Sequence, residues 1–243
     1  MSAFFTEVRE TLFPPHDGKD GPLPPLLVAM TLVTGLVDAF SYLVLGHVFV
    51  ANMTGNVLFI AFALAGEHGF SIASSLIALG SFALGSLAGG LLGSRIGDHR
   101  GRLLWTAAGI QALLLGSAVI FSILAGNPVP IVYAYPLIIA LGISMGLQNA
   151  TARKLAVPDL TTTVLTLTMT GIFADSRLAG GSGSKAGRRL ISVLAMFTGA
   201  LLGVLMILYV SIVYPLVIAF IVIALVSLTA RVLLRKRPGW ISK

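Results

Sequence analysis

The chain contains no cysteine, which excludes disulfides and thiolate metal sites. Charge is scarce as well: 10% of its 243 residues are Asp, Glu, Lys or Arg, against roughly 25% in a soluble domain. It has no glycine-rich phosphate loop, hydrolase elbow or HExxH helix, so neither an ATP-driven pump nor a hydrolase is expected. His47, His68 and His99 have no second ligand at metal-binding spacing, so no metal and no cofactor is expected. The first 24 residues are polar, with four acids and Pro14-Pro15. They lack the apolar core and small-residue cleavage site of a signal peptide, and read as a cytoplasmic tail, mostly disordered or lying on a surface.

What the chain does have is apolar sequence: 56% hydrophobic residues and a mean hydropathy of +0.97. A bilayer core about 30 Å thick is crossed by about 20 apolar residues in a helix. Six stretches qualify, at roughly 25–46, 71–95, 102–125, 132–155, 189–210 and 212–234. The last two form one uncharged run that must turn near Ser211 and Tyr214-Pro215. Two more apolar stretches, about 52–66 and 160–174, are short and begin with polar residues. Together these predict an all-α, polytopic membrane helix bundle of six full spans plus two short re-entrant or broken helices.

The net charge of +7 does not point to nucleic acid, because every Lys and Arg sits at the edge of an apolar segment. If the short stretches return to the side they entered from, all 16 basic residues share one face with both termini. The positive-inside rule makes that face cytoplasmic. Full crossing by both would give eight spans and move five basic residues outside; seven spans, with the N-terminus outside, is the other alternative.

The sequence also repeats itself. Pro25 to Ala39 matches Pro136 to Ala150 at a shift of 111, identical at Pro, Leu, Ala, Gly, Leu and Ala, with Asp38 opposite Asn149. Asn52 to Val57 aligns with Asp159 to Val164 at a shift of 107, and Gly85 to Gly89 with Gly199 to Gly203 at 114. The predicted organisation is a first membrane repeat over 25–126, a second over 127–235 and a basic cytoplasmic tail at 236–243. With three crossings per repeat, the second copy would lie upside down, as in inverted-repeat transporters.

Candidate site residues follow from that repeat. Asp38 lies well inside a span, where an ionisable group costs about 2.5–3.5 kcal/mol and usually faces a cavity or a partner. It is either a proton, cation or solute site, or a structural acceptor tying its helix to the start of the broken one. Asn52, Thr54 and Asn56, with Thr161, Thr162 and Thr163 opposite, stand where each short helix would begin. They are either ordinary caps or the rim of two helix N-termini that meet near the midplane and bind an anionic group. Gln148 and Asn149 extend this substrate-binding set. Ser81, Gly85, Gly89 and Gly93, matched by Ala195, Gly199 and Gly203, put a small residue every fourth position, a face for close helix packing within the chain or in a homodimer. Asp175 and Arg177 are candidates for an ion pair. His47 near Asp38 is the only acid–base combination in sight, so an enzyme is not expected.

The segments Thr34-Gly35-Leu36-Val37-Asp38-Ala39-Phe40-Ser41-Tyr42-Leu43, Phe49-Val50-Ala51-Asn52-Met53-Thr54-Gly55-Asn56 and Asp175-Ser176-Arg177-Leu178-Ala179-Gly180-Gly181 resemble the YoaK family of bacterial inner-membrane proteins. The resemblance covers about residues 25 to 235. It implies a multi-spanning inner-membrane protein, usually of six helices, and draws attention to Asp38, Asn52, Thr54, Asn56, Asp175 and Arg177. It implies no substrate. The expected function is a small secondary transporter or channel-like permease for a small polar or anionic solute. The alternative is a non-transporting scaffold or sensor assembling through its Gly-rich faces.

Overall fold

A computed structural model describes residues 2–15, 18–181, 183, 185–236 and 240. Among these the chain is all helical: α1 Ser2–Leu12, α2 Leu23–Val44, α3 Met53–Leu64, α4 Ile72–Ile96, α5 Arg100–Ala125, α6 Ile131–Leu155, α7 Leu165–Ala174, α8 Ala186–Tyr209 and α9 Tyr214–Lys236, with a 3-10 turn at Arg177–Ala179. α2, α4, α5, α6, α8 and α9 are each long and apolar enough to cross a membrane. At about 1.5 Å per residue, α3 and α7 are too short to do so. The N-terminal tail holds a helix rather than disorder. α1 packs on the start of α8, where the Gly187 N–H donates to Glu7 Oε2 at 2.9 Å.

Contacts between helix ends separate the two faces of the bundle. On one face Arg100, at the start of α5, is ion-paired to Asp20 before α2 at 2.9 Å and donates to the Leu155 carbonyl at the end of α6 at 3.0 Å. Trp240, beyond α9, lies against Gly21 and Gly101 on that same face. Arg189 near the start of α8 reaches Asp159 just past α6, adding another link there. On the opposite face His47, just after α2, hydrogen-bonds the Gly69 carbonyl just before α4 at 3.0 Å. The connection holding α3 therefore leaves and returns on one face, and the connection holding α7 does so on the other.

α2 and α6 are the most enclosed spans. Each is held by a helix of the other half: α8 packs on α2, and α4 on α6. A lipid bilayer offers no hydrophobic drive to bring helices together, so close approach through small residues supplies the attraction. A Cβ on Gly199 would strike the Leu32 carbonyl, and one on Gly203 would meet Ala39 and Leu36. In the other crossing a Cβ on Gly85 would strike the Ile143 carbonyl, and one on Gly89 would meet Ala150 and Leu147. Shifted by 111, Leu32, Leu36 and Ala39 become Ile143, Leu147 and Ala150. Shifted by 114, Gly85 and Gly89 become Gly199 and Gly203. The two crossings thus repeat each other contact for contact. Ser81 extends the α4 face against Gly142, and Gly93 lies under Lys154.

Gln148 lies at the centre of the bundle. It is buried and donates to Thr34 Oγ1 at 2.9 Å, while its own Oε1 accepts from Gln111 Nε2 at 2.7 Å. This network ties α2, α5 and α6 together.

Candidate functional site

After α2 the chain turns at Gly46 and His47, both at positive φ, and residues 48–52 run back along the span without helical structure. Backbone polar groups at membrane depth need partners within the protein, because lipid offers none. Two side chains provide them. Asp38 Oδ1 accepts from the Val50 and Ala51 N–H groups at 3.1 and 2.9 Å, and its Oδ2 accepts from Asn52 Nδ2. Asn56 Oδ1 accepts from the Phe49 N–H at 3.0 Å, while its Nδ2 donates to the Phe49 carbonyl at 2.6 Å. Asp38 and Asn56 are both buried, and all three partners of Asp38 are donors. The aromatic rings of Tyr42 and Phe49 stack over this strap with centroids 5.1 Å apart, and Gly55 leaves the room Phe49 occupies.

The structure therefore joins Asp38, Asn52 and Asn56 in one cluster and spends their hydrogen bonds inside the chain. Asn52 stands at the N-cap position of α3 but makes no side-chain capping bond. Thr54 is exposed and its hydroxyl makes no hydrogen bond among the described residues. His47 is committed to Gly69 rather than to Asp38.

The second half departs from this arrangement. α7 begins at Leu165, so Thr161 to Thr163 lie ahead of the helix and not in its first turn. Ala156, Asp159 and Thr162 all take positive φ, which bends this segment differently from its counterpart. Thr162 and Thr163 are buried and their hydroxyls have no partner, while Thr161 is exposed. α3 packs on α4, α7 packs on α8, and no hydrogen bond joins the starts of α3 and α7 among the described residues. The two short helices enter from different faces.

Asp175 pairs with Arg189 at 2.8 Å, and the same guanidinium holds Asp159 at 2.8 Å. Gly171 makes room for it, since a Cβ there would strike the guanidinium. The Arg177 side chain, the partner suggested by sequence, lies outside the described residues. Arg189 was not legible as a site residue because its basic neighbours explain it equally well by topology alone.

Each half has a groove beside its inter-half helix crossing. The first, about 290 Å³, lies between α2 and α8 and is lined by Asp38, Tyr42, Asn52, Met196 and Ala200, among others. The second, about 560 Å³, lies between α6 and α4 and is lined by Asn149, Arg153, Lys154, Phe82, Ser86 and Gly90. The repeat shifts carry one lining into the other: Asp38 to Asn149, Tyr42 to Arg153, Phe82 to Met196, and Ser86 to Ala200. Arg153 and Lys154 were missed as groove residues, although continuing the first repeat three and four positions past Ala150 places them in register with Tyr42 and Leu43.

A family model described as a protein of unknown function, DUF1275, matches residues 26–229. The UPF0700 transmembrane protein YoaK of Bacillus subtilis (strain 168) is 35% identical over 156 residues, which is 62% of this chain and 65% of that relative. The matched region thus falls just short of two thirds of the relative's length. No solved structure matches. A six-span helical bundle whose length is matched almost throughout by one family model, and which resembles a transmembrane relative, is a membrane protein that belongs to the DUF1275 family.

Proposed function

We propose that this integral membrane protein is a small secondary transporter or channel-like permease for a small polar or anionic solute, working by alternating access between two inverted repeats in the bacterial inner membrane. The observation that carries the reading is the correspondence of the two helix crossings. α2 runs away from the Arg100 face and α6 runs towards it, yet each meets its partner helix through the same residues of the repeat. Copies related this way support two conformations of matched energy, each opening one face. With the positive-inside rule, the basic Arg100 face and both termini are cytoplasmic.

In this conformation the first groove is lined on one side by the chain's own strap, through Phe49 and Asn52, and the second has no such strap. Asp38 then acts on transport as a latch for residues 48–52, and the solute-facing group in the open groove is its counterpart Asn149. The scaffold reading has less support, because the Gly-rich faces it would use are occupied by α2 and α6 within the monomer. An enzyme reading is weaker still, with His47 turned to a backbone carbonyl.

The test is flux in proteoliposomes against a panel of labelled small anions and neutral polar solutes. The expected outcome is saturable uptake and counterflow of at least one solute, reduced when Asp38→Leu releases the strap. Uptake no faster than through protein-free liposomes for the whole panel would reject transport.

A further inference from the structure

The two grooves are copies of one design with the charges exchanged. In the first, the helix supplies an acceptor, Asp38, and the filling strap supplies the donors. In the second, the helix supplies donors: the Asn149 amide and, one turn on, the Arg153 and Lys154 cations. What fills that groove must bring the acceptor. Among the described residues no acceptor side chain is bonded to these donors, and Asp159, the residue aligned with Asn52, is held by Arg189. Neither Arg153 nor Lys154 has a carboxylate or hydrogen-bond partner among the described residues, and the Asn149 side chain has none either. Gly90 stands where the first groove has Val204, and the second groove is also the roomier, about 560 against 290 Å³.

We infer that the α4–α6 groove is a binding site for a phosphate-type anion, held by Arg153 and Lys154 and oriented by Asn149. An ammonium and a guanidinium beside an amide suit a tetrahedral oxyanion, since the two cations are donors only and the amide can turn its NH2 towards the anion. The anion is either free in solution or the headgroup of an acidic phospholipid, which the groove's position at the basic face makes equally reachable. This deepens the transport reading, resting on the same repeat, by naming the solute class at the open side.

The full-length protein, purified in an uncharged detergent and stripped of lipid, is titrated calorimetrically with inorganic phosphate. In parallel it is placed in nanodiscs of phosphatidylcholine with or without phosphatidylglycerol, and retained lipid is weighed by native mass spectrometry. Wild type is expected to bind phosphate or to retain phosphatidylglycerol selectively; the first outcome assigns the free anion and the second the headgroup. Arg153→Gln with Lys154→Gln should weaken whichever is bound at least about ten-fold, as expected for loss of charge-assisted hydrogen bonds. Asn149→Asp, close to isosteric and copying the first groove, should do the same, and it decides the matter if the double variant fails to fold. Arg102→Gln, an exposed cation outside the groove, should change nothing. Binding of neither anion, or equal binding by wild type and both groove variants, would overturn the site. Anion binding without flux would keep the site and reject transport; flux of a neutral solute without anion binding would do the reverse.

Discussion

The re-entrant segments of the two halves start from aligned sequence and end in different structures. Residues 48–52 lie back along α2 because Asp38 and Asn56 satisfy four backbone groups that lipid could not. Their counterparts cannot do this. Asn149 replaces the carboxylate, Thr163 stands where Asn56 was, and neither makes the corresponding bonds to residues 156–160 among the described residues. The second segment is fixed by a surface-side guanidinium instead, Arg189, which gathers Asp159 and Asp175. The anchor of the first segment thus lies inside the span and that of the second beside the start of α8, and the groove beside the first is the smaller, about 290 against 560 Å³. A repeat keeps its helix crossings because backbone contact tolerates no side chain, while its loops diverge as soon as their polar partners change.

The largest effect is expected where the halves are alike. Gly199→Val and Gly85→Val both force a side chain into a facing carbonyl, and overpacking of this kind costs about 1–3 kcal/mol or more. Both should therefore lower the thermal midpoint in detergent by similar amounts, or abolish monodisperse protein, as size-exclusion fluorescence would show. A Gly85 variant far milder than the Gly199 variant would break the correspondence of the crossings.

Next comes the strap. Asp38→Leu leaves two buried backbone donors and the half-buried Asn52 amide without a partner, at about 1–3 kcal/mol for each buried one before relaxation. The chain has no cysteine, so a single one at Val50 reports on it cleanly. That thiol should resist an impermeant maleimide in wild type and react once Asp38 is Leu. Asp38→Asn should be far milder, because an amide oxygen still accepts and Asn52 can turn its own oxygen towards the new amide. Equal reactivity of all three would remove Asp38 as the anchor.

Arg189→Gln should be smaller, since its two ion pairs lie towards the surface, where such pairs contribute about 0–1 kcal/mol each. Limited proteolysis between α7 and α8 should speed up, with little change in the midpoint. The smallest effect belongs to Arg153→Gln with Lys154→Gln. With no partner inside the protein, this variant should melt within about 0.5 kcal/mol of wild type, as surface substitutions do.

Much of the bundle was readable in advance because the physics that shapes it is local. Spans follow from runs of apolar residues, and all six helices fall within a few residues of the predicted stretches. The predicted turn between the last two spans sits between Tyr209 and Tyr214. The spacing of Gly85, Gly89, Gly199 and Gly203 located the crossings, though not which helices they meet. The sequence could equally have used them for a dimer. Asp38 was picked out by its depth, its place opposite Asn149 in the repeat and the family resemblance, with a solute and a structural bond as open alternatives, and only the fold brings residues 12 to 14 positions later back to its carboxyl group. The late start of α7 escaped notice because Thr161 and Thr54 align perfectly while their neighbours impose different backbone angles. The α1 helix escaped because its anchor, Gly187, is 180 residues away from Glu7.

The proposed antiparallel arrangement of the halves is tested most directly by the sidedness of their two re-entrant connections. Single cysteines at Glu67 and at Gly183, one in each connection, are treated in intact cells with a membrane-impermeant maleimide and again after permeabilisation. Labelling of Glu67→Cys in intact cells, with Gly183→Cys labelled only after permeabilisation, is the outcome this arrangement requires. Both positions reacting from the same side would contradict it.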